Sequence, residues 1–197
     1  ALITIFLNGQ SDFLFNNISV NDGLSESTVK VVFEDKDGFI YFGTENGLDL
    51  YNGYEFESFQ MNAFDTTTIF GNKISTIYQS KKNKLWLGTE LGVTVFNLND
   101  RSFSRPSALR STESQDLANS DVIIEDDYDN IWLKIPTSGS IYRYNTNTNK
   151  TLCINCSSNS EMGTSKGTYL YSDKNNGVWV GSENGLFRYN SQKNEIV

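Results

Sequence analysis

Apolar residues in this chain fall into short β-branched or aromatic runs separated by polar turns. Val29-Lys-Val-Val-Phe33 and Ile74-Ser-Thr-Ile-Tyr78 have the composition of strands. The polar turns Asp35-Lys-Asp-Gly38 and Lys81-Lys-Asn83 follow them. A second apolar run comes next, centred on an aromatic residue, then Gly-Thr-Glu-x-Gly and a third run. In the stretch Lys84-Leu-Trp-Leu-Gly-Thr-Glu-Leu-Gly-Val-Thr-Val-Phe-Asn97 this pattern is complete. The glycines of that turn supply the positive φ that a tight hairpin requires.

Close copies run from Phe39 to Asn52 and from Gly177 to Asn190, with a degraded copy from Asn130 to Asn145. Their anchor aromatics Tyr41, Trp86, Trp132 and Trp179 lie 45, 46 and 47 residues apart. Nine residues before each anchor lie Val32, Ile77, Ile123 and Leu170, and six before lie Asp35, Ser80, Asp126 and Asp173. The third run ends in Tyr51, Phe96, Tyr144 or Tyr189. A weaker fourth follows at Tyr54–Phe59, Ser102–Arg105, Lys150–Ile154 and from Asn194. Four antiparallel strands per unit, repeating at this period, predict an all-β chain of about four β-propeller blades. The units cover about residues 20–60, 70–106, 117–154 and 164–197. The segment Phe13 to Ser19 reads as a stray fourth strand, of the kind that completes the last blade of a closed propeller. Variable connections at Met61–Phe70, Ala108–Asn119 and Asn155–Lys166 read as surface loops.

Charge and composition narrow the chemistry. A net charge of −8 offers no field for phosphate backbones, so nucleic acid is not an expected partner. The chain has no histidine, which removes the commonest general base and the commonest zinc ligand. Cys153 and Cys156 form a single C-x-x-C, too few ligands for zinc, leaving a local disulfide or two idle thiols. Neither a metal nor a cofactor is expected. The run Ala1 to Leu7 is too short to span a bilayer. Residues 1–12 read either as the remnant of a secretory signal or as an extra strand.

Asp22-Gly-Leu-Ser-Glu-Ser-Thr-Val29, Glu34-Asp-Lys-Asp-Gly38 and Ile40-Tyr-Phe-Gly-Thr-Glu-Asn-Gly-Leu48 resemble the two-component regulator propeller repeat. The likeness covers about Phe13 to Asn190. It implies seven-bladed propellers, often in tandem, that form the periplasmic sensors of hybrid histidine kinases in Bacteroidetes. Those sensors detect glycans and switch on the genes that degrade them. By that resemblance, four units are part of a seven-bladed ring and of a longer protein, with an oligosaccharide as ligand. The implied partners are a second copy or further blades, and the membrane enters only through a downstream segment. The third unit departs from the pattern. It places Lys134 where the others have glycine and reads Lys134-Ile-Pro-Thr-Ser-Gly139, with 12 residues between its aromatics against 10 elsewhere.

Candidate ligand-binding residues follow from the face that carries the turns: Glu45, Asn46, Glu90, Glu183 and Asn184, together with Lys134, Pro136, Thr137 and Ser138 of the aberrant loop. Equivalent carboxylates on neighbouring blades stand roughly 10 Å apart. That is at or beyond the range of about 6.5 to 9.5 Å used by inverting glycosidases, so hairpin hydrogen bonding is the simpler role for the glutamates. Asp35-x-Asp37 and Asp127-x-Asp129 lack the further ligands of a calcium loop and read as turn formers. The three tryptophans read as packing between blades rather than as sugar platforms. The expected function is a non-enzymatic extracytoplasmic sensor; the rivals are a carboxylate-based carbohydrate enzyme and an interaction or dimerisation scaffold.

Overall fold

The computed structural model describes residues 16–109, 119–136, 138–155, 169–173, 175, 177–190 and 195–196. Expectations for residues 1–12 and for Phe13 to Phe15 lie outside the described residues, as do Cys156 and most of the loops at 108–119 and 155–166. Sixteen strands form four sheets, each antiparallel and in sequence order. Blade 1 is β1 (Val29–Glu34), β2 (Ile40–Thr44), β3 (Gly47–Tyr51) and β4 (Phe56–Phe59). Blade 2 is β5 (Ile74–Gln79), β6 (Lys84–Thr89), β7 (Gly92–Asn97) and β8 (Ser102–Ser104). Blade 3 is β9 (Asp121–Glu125), β10 (Asn130–Lys134), β11 (Ile141–Asn145) and β12 (Lys150–Asn155). Blade 4 is β13 (Tyr169–Ser172), β14 (Val178–Ser182), β15 (Gly185–Asn190) and β16 (Glu195–Ile196). The first strands β1, β5, β9 and β13 contact one another in succession.

Because side chains alternate across a strand, each blade has two apolar faces with different duties. The anchor points to the following blade, and its two neighbours point to the preceding one. Thus Tyr41 is buried with Leu85, Leu87 and Phe96 between blades 1 and 2. Trp86 is buried with Ile131, Leu133 and Tyr144 between blades 2 and 3. Trp132 is buried with Val178 and Val180 between blades 3 and 4. One aromatic contact recurs at each joint, from the anchor to the third-strand aromatic of the next blade. The ring centroids are 6.5 Å apart for Tyr41–Phe96, 5.6 Å for Trp86–Tyr144 and 4.8 Å for Trp132–Tyr189.

The two glycines of the repeated turn differ in role, and only the second has the expected positive φ: Gly47, Gly92 and Gly185 stand at 121°, 129° and 135°. The first lies inside the second strand and makes room for the next blade. A Cβ on Gly43 would sit 2.5 Å from Val31 Cγ1 and 2.7 Å from Ile74 Cγ2, and one on Gly88 would overlap Ser120 O. At Gly181 of blade 4 a Cβ would meet nothing within 4 Å. Blade 3 has Lys134 at this position and rebuilds the hairpin. Ile135 N donates to Ser140 O at 2.9 Å, Gly139 N donates to Ile135 O at 2.8 Å, and Gly139 takes φ +69°.

Among the described residues three buried clusters join the four blades, and none joins blade 4 to blade 1. Blade 4 therefore presents Trp179 to no further blade, and the tryptophan is half-buried where Trp132 is fully buried. Tyr169, Tyr171 and Leu186 share that open face and are 76%, 64% and 69% exposed. The core assignment made from sequence thus holds for Trp86 and Trp132, whereas Trp179 lacks a covering blade among the described residues. Blade 1 leaves Val32 exposed on the opposite side. There the lead-in segment lies over the sheet: Leu24 is buried, and the carboxylate of Asp49 accepts from Ser25 N (3.0 Å), Ser25 Oγ (2.7 Å) and Ser58 Oγ. Cys153 is disulfide-bonded, and Cys156 is the only other cysteine in the sequence.

Two outcomes follow from this packing. Trp132→Ala is expected to cost about 3 to 5 kcal/mol of folding free energy and Trp179→Ala less than half of that, measured by denaturant unfolding of the 197-residue chain; equal losses would contradict the unequal burial. The open apolar faces should also drive concentration-dependent self-association, visible in multi-angle light scattering. A monomer at every concentration would show that the two faces are covered.

Candidate functional site

The turn face carries most of the residues singled out from sequence, and the structure gives several of them structural partners. Glu90 caps the lead-in to its own blade, accepting from Asn72 N at 3.1 Å and Lys73 N at 2.8 Å. Glu45 is paired with Lys30 Nζ at 2.9 Å, and that contact holds its carboxyl below the ordinary glutamate value. Asn46 N donates to Thr44 Oγ1, which closes the hairpin. Glu183 and Asn184 are exposed on blade 4, where Asn184 N donates to Ser182 Oγ. Lys134 stays within β10, largely covered, with Nζ 4.0 Å from Asp121 Oδ2. Pro136 and Ser138 are exposed, and Ser138 Oγ donates to Ser140 Oγ at 2.8 Å; Thr137 lies outside the described residues. The three glutamates are thus spread over three blades rather than drawn into one centre. Among the described residues no cluster of His, Cys, Asp or Glu could hold a metal.

The opposite end of the blades carries the turns between first and second strands, and one arrangement recurs there. In blade 3, Asp126 Oδ1 accepts from Tyr128 N (2.9 Å) and Asn130 N (3.0 Å), while Oδ2 accepts from Trp132 Nε1 (3.0 Å). In blade 4, Asp173 binds Asn175 N (2.8 Å), Gly177 N (2.7 Å) and Trp179 Nε1 (2.7 Å). In blade 1, Asp35 binds Asp37 N (2.9 Å), Phe39 N (3.0 Å) and Tyr41 OH (3.2 Å). One carboxylate thereby shapes the turn and fixes the anchor ring six residues on. Burial and the Asp35 charge push the Tyr41 hydroxyl up, whereas the Trp179 indole hydrogen bond holds Asp173 below the ordinary Asp value. The turn-forming half of this role was legible from Asp in a turn. The link to the anchor was not read, although the paired spacing could have signalled it.

Three cavities open beside these turns, one in each joint between blades. They measure about 1040 Å³ between blades 3 and 4, 580 Å³ between blades 1 and 2, and 280 Å³ between blades 2 and 3. The largest is lined by Asn130, Asn145, Asn175 and Asn190, by Arg143 and Arg188, and by Tyr128 and Tyr189. Arg143 donates to the Tyr189 hydroxyl across the joint. Of these, Tyr128, Asn175 and Arg188 are exposed, and a phenol ring, an amide and a guanidinium on a groove of this size suit a polyhydroxylated ligand, which needs hydrogen bonds and flat apolar contact.

The repeat geometry agrees with a match to the family model described as two component regulator propeller, at residues 23–46 and 68–90. Those two segments are similar to the two-component regulator propeller repeat. A histidine kinase P4 of Formosa agariphila is 36% identical over 70 residues, which is 35% of this chain and 5% of the relative. The extracellular domain assigned to a hybrid two-component system of B. thetaiotaomicron aligns with TM-score 0.63 and 18% identity, over 92% of this chain and 31% of that one. Virginiamycin B lyase of Staphylococcus aureus aligns with TM-score 0.62 and 12% identity, over 89% of this chain and 56% of that one. At these identities the likenesses establish the propeller, which serves a signalling domain in one case and a lyase in the other. The chain spans less than a third of the signalling domain and a twentieth of the kinase.

The aspartate clasp has a testable pH signature. A carboxyl held low in the folded state stabilises it above the unfolded pKa, and that contribution disappears as pH falls through the folded value. For Asp173 the loss therefore lies below its ordinary value of 3.8. Acid titration monitored at the indole of Trp179 should show this transition, and Asp173→Asn should remove it. An unchanged titration in the variant would break the link between the two residues.

Proposed function

We propose that this chain is part of the extracytoplasmic sensor of a hybrid two-component system. It binds an oligosaccharide in the periplasm and passes the signal to a kinase outside the chain. The match to two-component regulator repeats at residues 23–46 and 68–90 carries the assignment to a sensor. The groove between blades 3 and 4, with its asparagines, arginines and tyrosines, supports a sugar as ligand. The rebuilt loop after Lys134 is a second locus, since among the four turns of that face it alone departs from the Gly-x-x-x-Gly pattern. The engagement of Glu45 with Lys30 and of Glu90 with backbone amides favours a binding module over a carboxylate-based hydrolase. No helix among the described residues is long and apolar enough to cross a membrane.

Binding to the native state alone raises thermal stability by mass action. A panel of oligosaccharides should contain members that raise the melting temperature saturably and are recovered intact. Tyr128 is exposed and lines the groove, so Tyr128→Ala is expected to weaken the best ligand at least about tenfold, about 1.4 kcal/mol, with the melting temperature of the free protein unchanged. Loss of binding in Ser138→Ala instead would move the site to the turn face. Glycan cleavage abolished by Glu45→Gln or Glu90→Gln would replace the sensor with an enzyme.

A further inference from the structure

Blade 2 breaks the aspartate clasp. Ser80 stands six residues before Trp86, where the other blades have Asp35, Asp126 and Asp173. Its turn nevertheless has the same backbone frame. The N–H of the turn's first residue donates to the carbonyl four residues on in all four blades: Asp35 to Phe39 at 2.9 Å, Ser80 to Lys84 at 2.9 Å, Asp126 to Asn130 at 3.0 Å and Asp173 to Gly177 at 2.8 Å. In the sister blades this frame aims two amides and the anchor's donor at one carboxylate. In blade 2 the corresponding donors are Lys82 N, Lys84 N and Trp86 Nε1, and Ser80 brings no carboxylate to them. Ser80 Oγ donates to Lys84 O at 3.3 Å. Trp86 is 3% exposed, and its Nε1 is the buried side-chain polar atom without a hydrogen-bond partner among the described residues. A buried donor in that condition costs about 1 to 3 kcal/mol.

The cavity of about 280 Å³ between blades 2 and 3 is walled by Ser80 and Trp86 themselves, with Lys82, Lys84 and Arg105 beside them. We propose that this joint is a binding site for a small carboxylate ligand, whose oxygens take the place that Asp126 and Asp173 fill from within their own blades. The orphaned donor calls for an acceptor and Lys84 beside it favours an anionic one, while Lys82 Nζ is already paired with Asp129 at 3.0 Å and the Arg105 guanidinium stacks on Phe70; the cavity size limits the ligand to a small molecule or the acidic head of a larger one. The site lies one joint away from the proposed sugar groove and does not rest on it. The wall also contains Glu125, whose carboxylate accepts from Lys81 N at 2.7 Å; burial pushes that carboxyl up. Its negative charge opposes an entering anion.

Acetate is the probe. In the 15N-labelled protein, the Trp86 indole N–H resonance, assigned with Trp86→Phe, should shift saturably with sodium acetate and not with sodium chloride at equal ionic strength. Ser80→Asp supplies the carboxylate from within, so it should raise the melting temperature and abolish the acetate response. Glu125→Gln keeps an acceptor for the Lys81 amide while removing the opposing charge, and should lower the acetate concentration at half-saturation severalfold. If Ser80→Asp does not fold, Glu125→Gln decides alone. An indole resonance indifferent to acetate, as a trapped water on Nε1 would produce, overturns the proposal. A response that persists in Ser80→Asp, or is unaltered in Glu125→Gln, overturns it equally.

Discussion

The hydrogen bond between a turn aspartate and the anchor six residues later is the constraint on which this architecture turns. A large aromatic between two sheets could settle in several rotamers, and each would ask a different shape of the next blade. Tying its polar edge to a carboxylate that is itself held by two amides leaves one orientation. At the two joints where the clasp is present the ring meets Phe96 and Tyr189 edge-on, whereas Trp86, which has Ser80 in place of the aspartate, meets Tyr144 in a tilted arrangement. The polar interaction contributes specificity, while burial of the rings and their aliphatic neighbours supplies most of the stabilisation.

Much of this was legible in the sequence because the repeat states it several times over. Four strands per unit, their order and their approximate limits followed from alternation and from the 45- to 47-residue period. The fourth strands were the least secure, since Ser102–Ser104 and Glu195–Ile196 are too short to show alternation. What sequence could not give was direction. Gly43 and Gly181 look equivalent, yet one accommodates Ile74 and the other faces open space, a difference set by which blade follows.

The candidate site was less legible for a related reason. Residues of the repeated turn are conspicuous through repetition, and repetition is what structural duty produces; Glu90 proves to be a cap on its own lead-in. The grooves at the other end combine residues from two blades, such as Arg143 with Tyr189, each in the third strand of its own unit, and the repeat by itself does not show which of them meet across a joint. Departures from the repeat, at Ser80 and in the loop after Lys134, are the more informative positions because the fold does not demand them.

The unlike faces of a blade also settle how two such arcs could meet. An anchor face docks on the unlike face of the next blade, so a contact between the blades of two copies would be heterologous, an anchor face on one against a flank face on the other. Anchor face to anchor face would bring Trp179 against Trp179 with no flanking pair on either side.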